Sequence, residues 1–194
     1  MKPDIRYLPD HPEHRALIHS LFVELFQSER SADVHSMREA ERYVGTAPAA
    51  ALLAVADHAR AIAPDLCELA AARGSSDTKG GMAIGSLFSR VRDAVTDRMI
   101  SAERSYRATL LGQRHGLDLV RSLRQVALAA DDASLAMFCD GWIAQRTPLV
   151  EAVAARLSWF AANPDRAMAS AREGVGEPSS GSRQGLRART AETT

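Results

Sequence analysis

The clearest pattern in this chain is a spacing of apolar residues by three and four positions, which is typical of amphipathic helices. The first helix is predicted to open at Asp10, a suitable N-cap followed by Pro12 in the first turn, and to stop near Gly45. One long helix is therefore expected at the start of the chain. Its seam, the face predicted to pack inwards, consists of Ile18, Phe22, Leu25, Glu29, Ala32, Ser36, Ala40 and Tyr43.

A second helix is predicted from Thr46, with Pro48 in its first turn, to Gly74. Pro64 lies inside this segment and predicts a kink, because proline removes one backbone hydrogen bond and crowds the preceding turn. The inner face of the helix is predicted to carry Leu52, Val55, Ala59, Ile62, Leu66 and Leu69.

Two further helices follow the turn-rich connection at residues 74–85. The third has Phe88, Val91, Val95, Met99, Ala102, Tyr106, Leu110, Gln113, Leu117 and Val120 on one face, with Gly112 and Gly116 as points where it can bend. The fourth begins at Asp131 or Asp132 and continues through Leu135, Phe138, Trp142, Leu149, Val153, Leu157 and Phe160. Pro148 predicts a kink or a break near Thr147.

Long amphipathic helices without any recognisable strand predict an all-α fold, an antiparallel four-helix bundle over residues 1–163. Residues 164–194 lack an apolar period and are predicted to be a disordered tail.

The connection lengths predict the topology of this bundle. The turns after helices 1 and 3 are tight, whereas residues 74–85 can span about 40 Å when extended, roughly the length of one helix. Residues 11–162 thus resemble the ferritin-like superfold, in which a lengthwise crossover joins helices 2 and 3. That resemblance implies antiparallel helices 2 and 4, with Cys67 and Cys139 at the same level along the bundle.

Composition narrows the functional classes. Of the 194 residues 46% are hydrophobic, and 24 basic residues balance 24 acidic ones, which argues against a nucleic-acid partner. No signal peptide and no apolar run of about 18 residues is present, so we expect a cytoplasmic protein without a membrane partner. The two cysteines form no CxxC pair and are expected to be reduced.

A metal centre is the first candidate for chemistry. Ferritin-like di-iron proteins use Glu-x-x-His pairs on two helices, and no glutamate here is followed by histidine at that spacing. A site with fewer ligands, for a divalent metal or iron, could combine Glu29, His58 and Glu103, which are expected at a similar level along the bundle. The alternative is a salt bridge that neutralises Glu29, with Arg30, Arg104, Arg107 or Arg146 as its partner.

A second candidate site lies in residues 103–123, where Tyr106, Arg107 and His115 are close in sequence. Packing is the favoured role for Tyr106 and a position on the helix flank the favoured role for His115. No nucleophile matches a catalytic histidine here, so no catalytic residue is assigned. The basic flank of Arg104, Arg107, Arg114, Arg121 and Arg124 is either a solvated face or a site for an acidic partner or phosphate.

The favoured function is a non-catalytic bundle that self-associates, as a homodimer, or binds a protein partner through an Ala- and Leu-rich face. One alternative is a metal-binding or oxidoreductase bundle. Another is a small-molecule sensor whose ligand lies between helices kinked at Pro64 and Pro148.

Overall fold

A computed structural model of the chain describes residues 12–75 and 100–171. The helices in these ranges are α1 (Pro12–Glu41), α2 (Ala47–Ala72), α3 (Ala102–Ala129), α4 (Ala133–Ala155), α5 (Leu157–Ala162) and α6 (Pro164–Met168). The described ranges contain no strand, only an isolated bridge between Ser101 and Ser170. The all-α helical bundle predicted from the sequence is confirmed.

The helix ends follow from local chemistry. Thr46 precedes α2 as its N-cap residue, and Gly45 takes the left-handed conformation (φ 79°) in the turn before it. The carboxylate of Asp132 accepts a hydrogen bond of 3.0 Å from the amide of Leu135 and so caps α4, as predicted. The cap predicted at Asp10 lies outside the described residues.

The predicted inner faces form the core. Every residue of the α1 seam is buried, including the polar Glu29 and Ser36. On α3 the predicted face is buried from Ala102 to Val120, and α3 runs unbroken through Gly112 and Gly116. The remaining residues predicted for that face, Phe88, Val91, Val95 and Met99, lie outside the described ranges.

Side-chain contacts define how the long helices run. α1 packs against α2 and α3, and α4 packs against the same two helices. The Tyr43 hydroxyl at the end of α1 lies 2.7 Å from the Ala102 carbonyl at the start of α3, so these helices are antiparallel. Arg73, just after α2, binds Asp132 at the start of α4 at 2.6 Å, so α2 and α4 are antiparallel too.

The same contacts fix the relation between α2 and α3. Both helices run the same way and occupy opposite corners of the bundle, so the end of α2 and the start of α3 lie at opposite ends of the bundle. Cys67 and Cys139 lie on the antiparallel α2 and α4. Both are free thiols, and burial raises the pKa of the Cys139 thiol to about 12.

Of the two outcomes predicted near Thr147, a kink or a break, the break does not occur. α4 continues through Pro148 to Ala155 and is interrupted at Arg156, after which α5 begins. A proline removes only one backbone hydrogen bond, while Val150 and Val153 beyond it are buried in the core. That burial is sufficient to keep the helix continuous. Pro64 likewise lies inside an uninterrupted α2.

The packed part of the chain extends past residue 163, where the tail was predicted to begin. Ala167 of α6 is buried, and the Ala102 amide donates a 2.9 Å hydrogen bond to the Ala169 carbonyl. Small alanine contacts of this kind leave no apolar period to recognise in a sequence. Residues 172–194 lie outside the described ranges. Across the ranges that are described, no helix is long and apolar enough to cross a membrane.

The two glycines inside α3 should respond differently to alanine. A Cβ atom at Gly116 would lie 2.7 Å from the Ser28 hydroxyl oxygen on α1, whereas one at Gly112 would meet nothing within 4 Å. Because alanine is the better helix former, Gly112→Ala should raise the free energy of unfolding by about 0.5–1 kcal/mol. Gly116→Ala should lose that gain, since Ser28 or the α1–α3 spacing must shift.

A Ser28→Ala background removes the hydroxyl, and Gly116→Ala should then stabilise the protein as Gly112→Ala does. Urea denaturation of the single and double variants measures both effects. Equal stabilisation by the two glycine substitutions in the wild-type background would contradict the close approach of α1 and α3.

Candidate functional site

The middle of the bundle contains a polar group that we call the central cluster: Glu29 on α1, His58 on α2, and Trp142 and Arg146 on α4. A guanidinium nitrogen of Arg146, Nη2, donates to Oε2 of Glu29. Both side chains are almost fully enclosed, since Glu29 is 5% exposed and Arg146 is 1% exposed. The guanidinium also lies over the Trp142 ring, 4.9 Å from its centre.

Burial dominates the electrostatics of this pair. Removal from water raises the pKa of Glu29, and the charge of Arg146 lowers that pKa by less. The same burial lowers the pKa of Arg146, and its partner Glu29 opposes that shift. Each charge is therefore costly in this environment, and the opposite charge of its partner offsets part of that cost.

His58 completes the central cluster without forming a hydrogen bond. Its ring meets the Trp142 ring edge-on, with centres 6.1 Å apart. Both ring nitrogens are buried and lack a partner in the part of the chain that the structure describes. Burial, and next the nearby charge of Arg146, lower the pKa of His58 to about 4. The imidazole is therefore neutral at pH 7.

The three residues predicted to bind a metal are not brought together. Glu29 and His58 both adjoin Trp142 and Arg146, but Glu103 lies in the first turn of α3 and pairs with Arg107. The prediction placed Glu103 in the middle of a helix starting before residue 90, whereas α3 is described from Ala102. Among residues 12–75 and 100–171, no group of three or more His, Cys, Asp or Glu side chains could hold a metal.

The alternative prediction for Glu29 fits the geometry. Of the four arginines considered as its partner, Arg146 forms the salt bridge, and its guanidinium group contacts the Glu29 carboxylate directly. Nε of Arg146 is a further buried polar atom without a hydrogen-bond partner in the described chain. The Trp142 side chain lies close enough to Glu29 to lower the pKa of that carboxyl.

A second buried network lies at the end of α1 and was missed by the sequence analysis. The Glu39 carboxylate accepts hydrogen bonds from the Tyr43 hydroxyl at 2.6 Å and from the Ser105 hydroxyl at 2.7 Å. Arg42 adds an ion pair of 2.9 Å. The spacing of Glu39 and Tyr43 by four positions on one helix was the available signal. These contacts tie α1 to α3, and we interpret them as structural.

The remaining predicted site residues are separated. Tyr106 is buried, donates to the Val153 carbonyl at 3.0 Å, and packs against Phe160 with ring centres 5.0 Å apart. Burial raises its pKa well above the usual value for tyrosine. His115 is exposed on α3. Arg107 pairs with Glu103, which lies one turn before Arg107 on the same helix. No common site therefore contains Tyr106, His115 and Arg107.

A groove of about 270 Å³ lies between α3 and α4. Arg114 and Arg121 of the predicted basic flank line this groove, together with the acidic Asp118 and Glu151. Arg121 pairs with Asp118 at 3.0 Å. The lining residues of the groove are Arg114, Leu117, Asp118, Arg121, Thr147, Val150, Glu151 and Ala154.

No protein-family model, curated protein or solved structure matches the chain. The described part of the chain forms an all-α four-helix bundle with a carboxylate–guanidinium pair at its centre. The resemblance to ferritin-like bundles remains a prediction from the order and direction of the helices.

Removing one member of the central ion pair should be more harmful than removing both. Arg146→Met leaves a buried carboxylate without its partner, and we expect a loss of about 3–5 kcal/mol in the free energy of unfolding. The double variant Glu29→Leu with Arg146→Met buries no charge and should recover most of that loss. Urea denaturation at pH 7 measures both; a double variant less stable than Arg146→Met alone would contradict this account.

The shifted His58 predicts a dependence of stability on pH. An unfolded chain protonates its imidazole near pH 6.5, whereas folded His58 does so only near 4. Between these values the unfolded state binds more protons, so the contribution of His58 to stability falls as the pH is lowered from about 7 to about 4. Replacement of His58 removes this contribution.

We therefore expect wild type to lose stability relative to His58→Phe and His58→Gln as the pH falls through this window. Urea denaturation in steps from pH 7 to pH 4 measures the differences. Two replacements of different size separate the proton effect from packing, because only the proton effect varies with pH in both. A difference that stays constant across the window would contradict the shift.

Proposed function

We propose that this chain is a non-catalytic helical-bundle protein that self-associates through the outer face of α2. One observation carries the proposal: α2 buries one face in the core, yet the face that it turns to solvent is also rich in apolar and small residues. The exposed positions of this kind are Ala47, Ala50, Leu53, Ala61, Ala63, Pro64, Ala71 and Ala72.

A stripe along this surface supports a helix-to-helix contact. Ala47, Ala50 and Leu53, and one turn beyond Asp57 also Ala61 and Pro64, lie along one stripe of the helix, and we call these five apolar residues the α2 outer face. Leu53 is 42% exposed and is the largest apolar side chain in the stripe. Alanines on either side of it would let a second helix approach closely, as small residues do at helix crossings.

The charges within and beside the α2 outer face are paired within one chain. Arg60 pairs with Asp33 of α1 and with Asp57 of α2, each at 2.9 Å. Met37 on α1 lies next to this arginine, 3.6 Å from its Nη2 atom, and adds apolar area. A second copy placed on this face would therefore meet apolar atoms and internally paired ions rather than a field of one sign. A two-fold arrangement would pair each face with itself.

Light scattering at micromolar concentration tests the proposal. Wild type should have the mass of a dimer, and Leu53→Glu should shift the protein towards the monomer because it places a charge in the contact. Leu111→Glu is the matched control: Leu111 is 67% exposed but lies on α3, at the opposite corner of the bundle. This control should remain dimeric.

Wild type that is strictly monomeric would end the proposal of self-association. A dimer that is lost in Leu111→Glu and kept in Leu53→Glu would instead move the contact to α3. Circular dichroism of both variants establishes that each retains its helical content.

A further inference from the structure

The groove between α3 and α4 combines an apolar floor with charged walls of both signs. Leu117 and Val150 are buried and form the floor together with Ala154. Two cationic side chains, Arg114 and Arg121, line the groove on the α3 side. Its volume of about 270 Å³ is slightly below the roughly 300 Å³ at which small-molecule sites begin, so it suits only a small ligand.

The decisive feature is a pair of opposite charges that face the same groove without binding each other. Arg121 is neutralised by Asp118 at 3.0 Å, but Arg114 on α3 and Glu151 on α4 form no ion pair in the part of the chain that is described. Both line the groove, so the space between them is wider than a direct salt bridge. An unpaired cation and an unpaired anion across an apolar floor are complementary to a molecule that carries both charges.

Thr147 adds a neutral polar residue to the α4 side of the groove. Its hydroxyl oxygen is buried and has no hydrogen-bond partner among the described residues, although the residue lines the groove. Such an atom is costly to leave unpaired.

We propose that this groove binds a small zwitterion with an apolar side chain, of the class of aliphatic α-amino acids. Arg114 would bind the carboxylate, Glu151 the ammonium group, and the floor of Leu117 and Val150 the aliphatic part. A phosphate would meet the carboxylates of Asp118 and Glu151, and a divalent cation would meet two guanidinium groups. This site does not depend on self-association, because it lies on different helices from the α2 outer face.

The chemical class is tested with three probes of similar shape on the full chain. L-leucine carries both charges, 4-methylpentanoate only the carboxylate, and 3-methylbutylamine only the ammonium group. Ligand-observed NMR titration should show saturable binding of L-leucine with a Kd of about 1 mM, as expected for a small ligand in an open groove. Each single-charge probe should bind at least about tenfold more weakly, because it loses one charged hydrogen bond.

Variants assign the two charges. Arg114→Gln and Glu151→Gln should each weaken L-leucine binding about tenfold or more. Arg114→Gln should leave the weak binding of the amine unchanged, and Glu151→Gln that of the carboxylate. Arg104→Gln is the matched control, since Arg104 is exposed on α3 but does not line the groove.

Three results would overturn the assignment. One is the absence of saturable L-leucine binding up to about 10 mM, well above the expected Kd. Another is a loss of binding in Arg104→Gln equal to that in Arg114→Gln, which would indicate non-specific attraction. The third is a carboxylate probe that binds as tightly as L-leucine, which would make the groove an anion site. Unchanged thermal unfolding shows that each variant is folded.

Discussion

The bundle is organised around one buried ion pair that links helices at opposite corners. α1 and α4 do not pack against each other directly, and the Glu29–Arg146 contact crosses the interior between them. A buried carboxylate and a buried guanidinium are each unfavourable alone, so both charges are satisfied only when the two helices adopt one relative register. We infer that this requirement selects a single packing among the many that similar apolar faces would permit.

α1 carries further polar residues on its buried face, and each is hydrogen-bonded to a residue of α3 at the same level along the bundle. Ser36 accepts a 3.0 Å hydrogen bond from Gln113, and Glu39 binds Ser105, so that α1 is tied to α3 above the central cluster. Interdigitating apolar side chains tolerate sliding by a turn more readily than such matched pairs do. The polar positions of α1 thus specify alignment, while the aromatic contacts of Tyr43 and Tyr106 fill the end of the bundle.

The parts of this structure that depend on local periodicity could be predicted from the sequence, and those that depend on element ends or choice of partner could not. Every residue predicted for the α1 seam is buried because helical period determines which residues share a face, although the buried face of α1 also includes Leu21 and Glu39, which were not predicted. Glu103 was misplaced because periodicity does not fix where a helix begins. Arg146 was one of several arginines considered for Glu29, since sequence spacing does not rank partners on different helices. The groove between α3 and α4 was not foreseen, because it requires knowing which residues of the two helices lie side by side.

The two surfaces proposed to function lie on opposite sides of the molecule. α2 and α3 occupy opposite corners, so the α2 outer face points away from the groove that Arg114 and Glu151 line. A second copy on α2 would leave the groove open to solvent. α4 is the element that belongs to both sides: it packs against α2, supplies Arg146 to the central cluster, and one residue later places Thr147 at the groove. The same helix therefore holds one side of the buried ion pair and forms one wall of the groove.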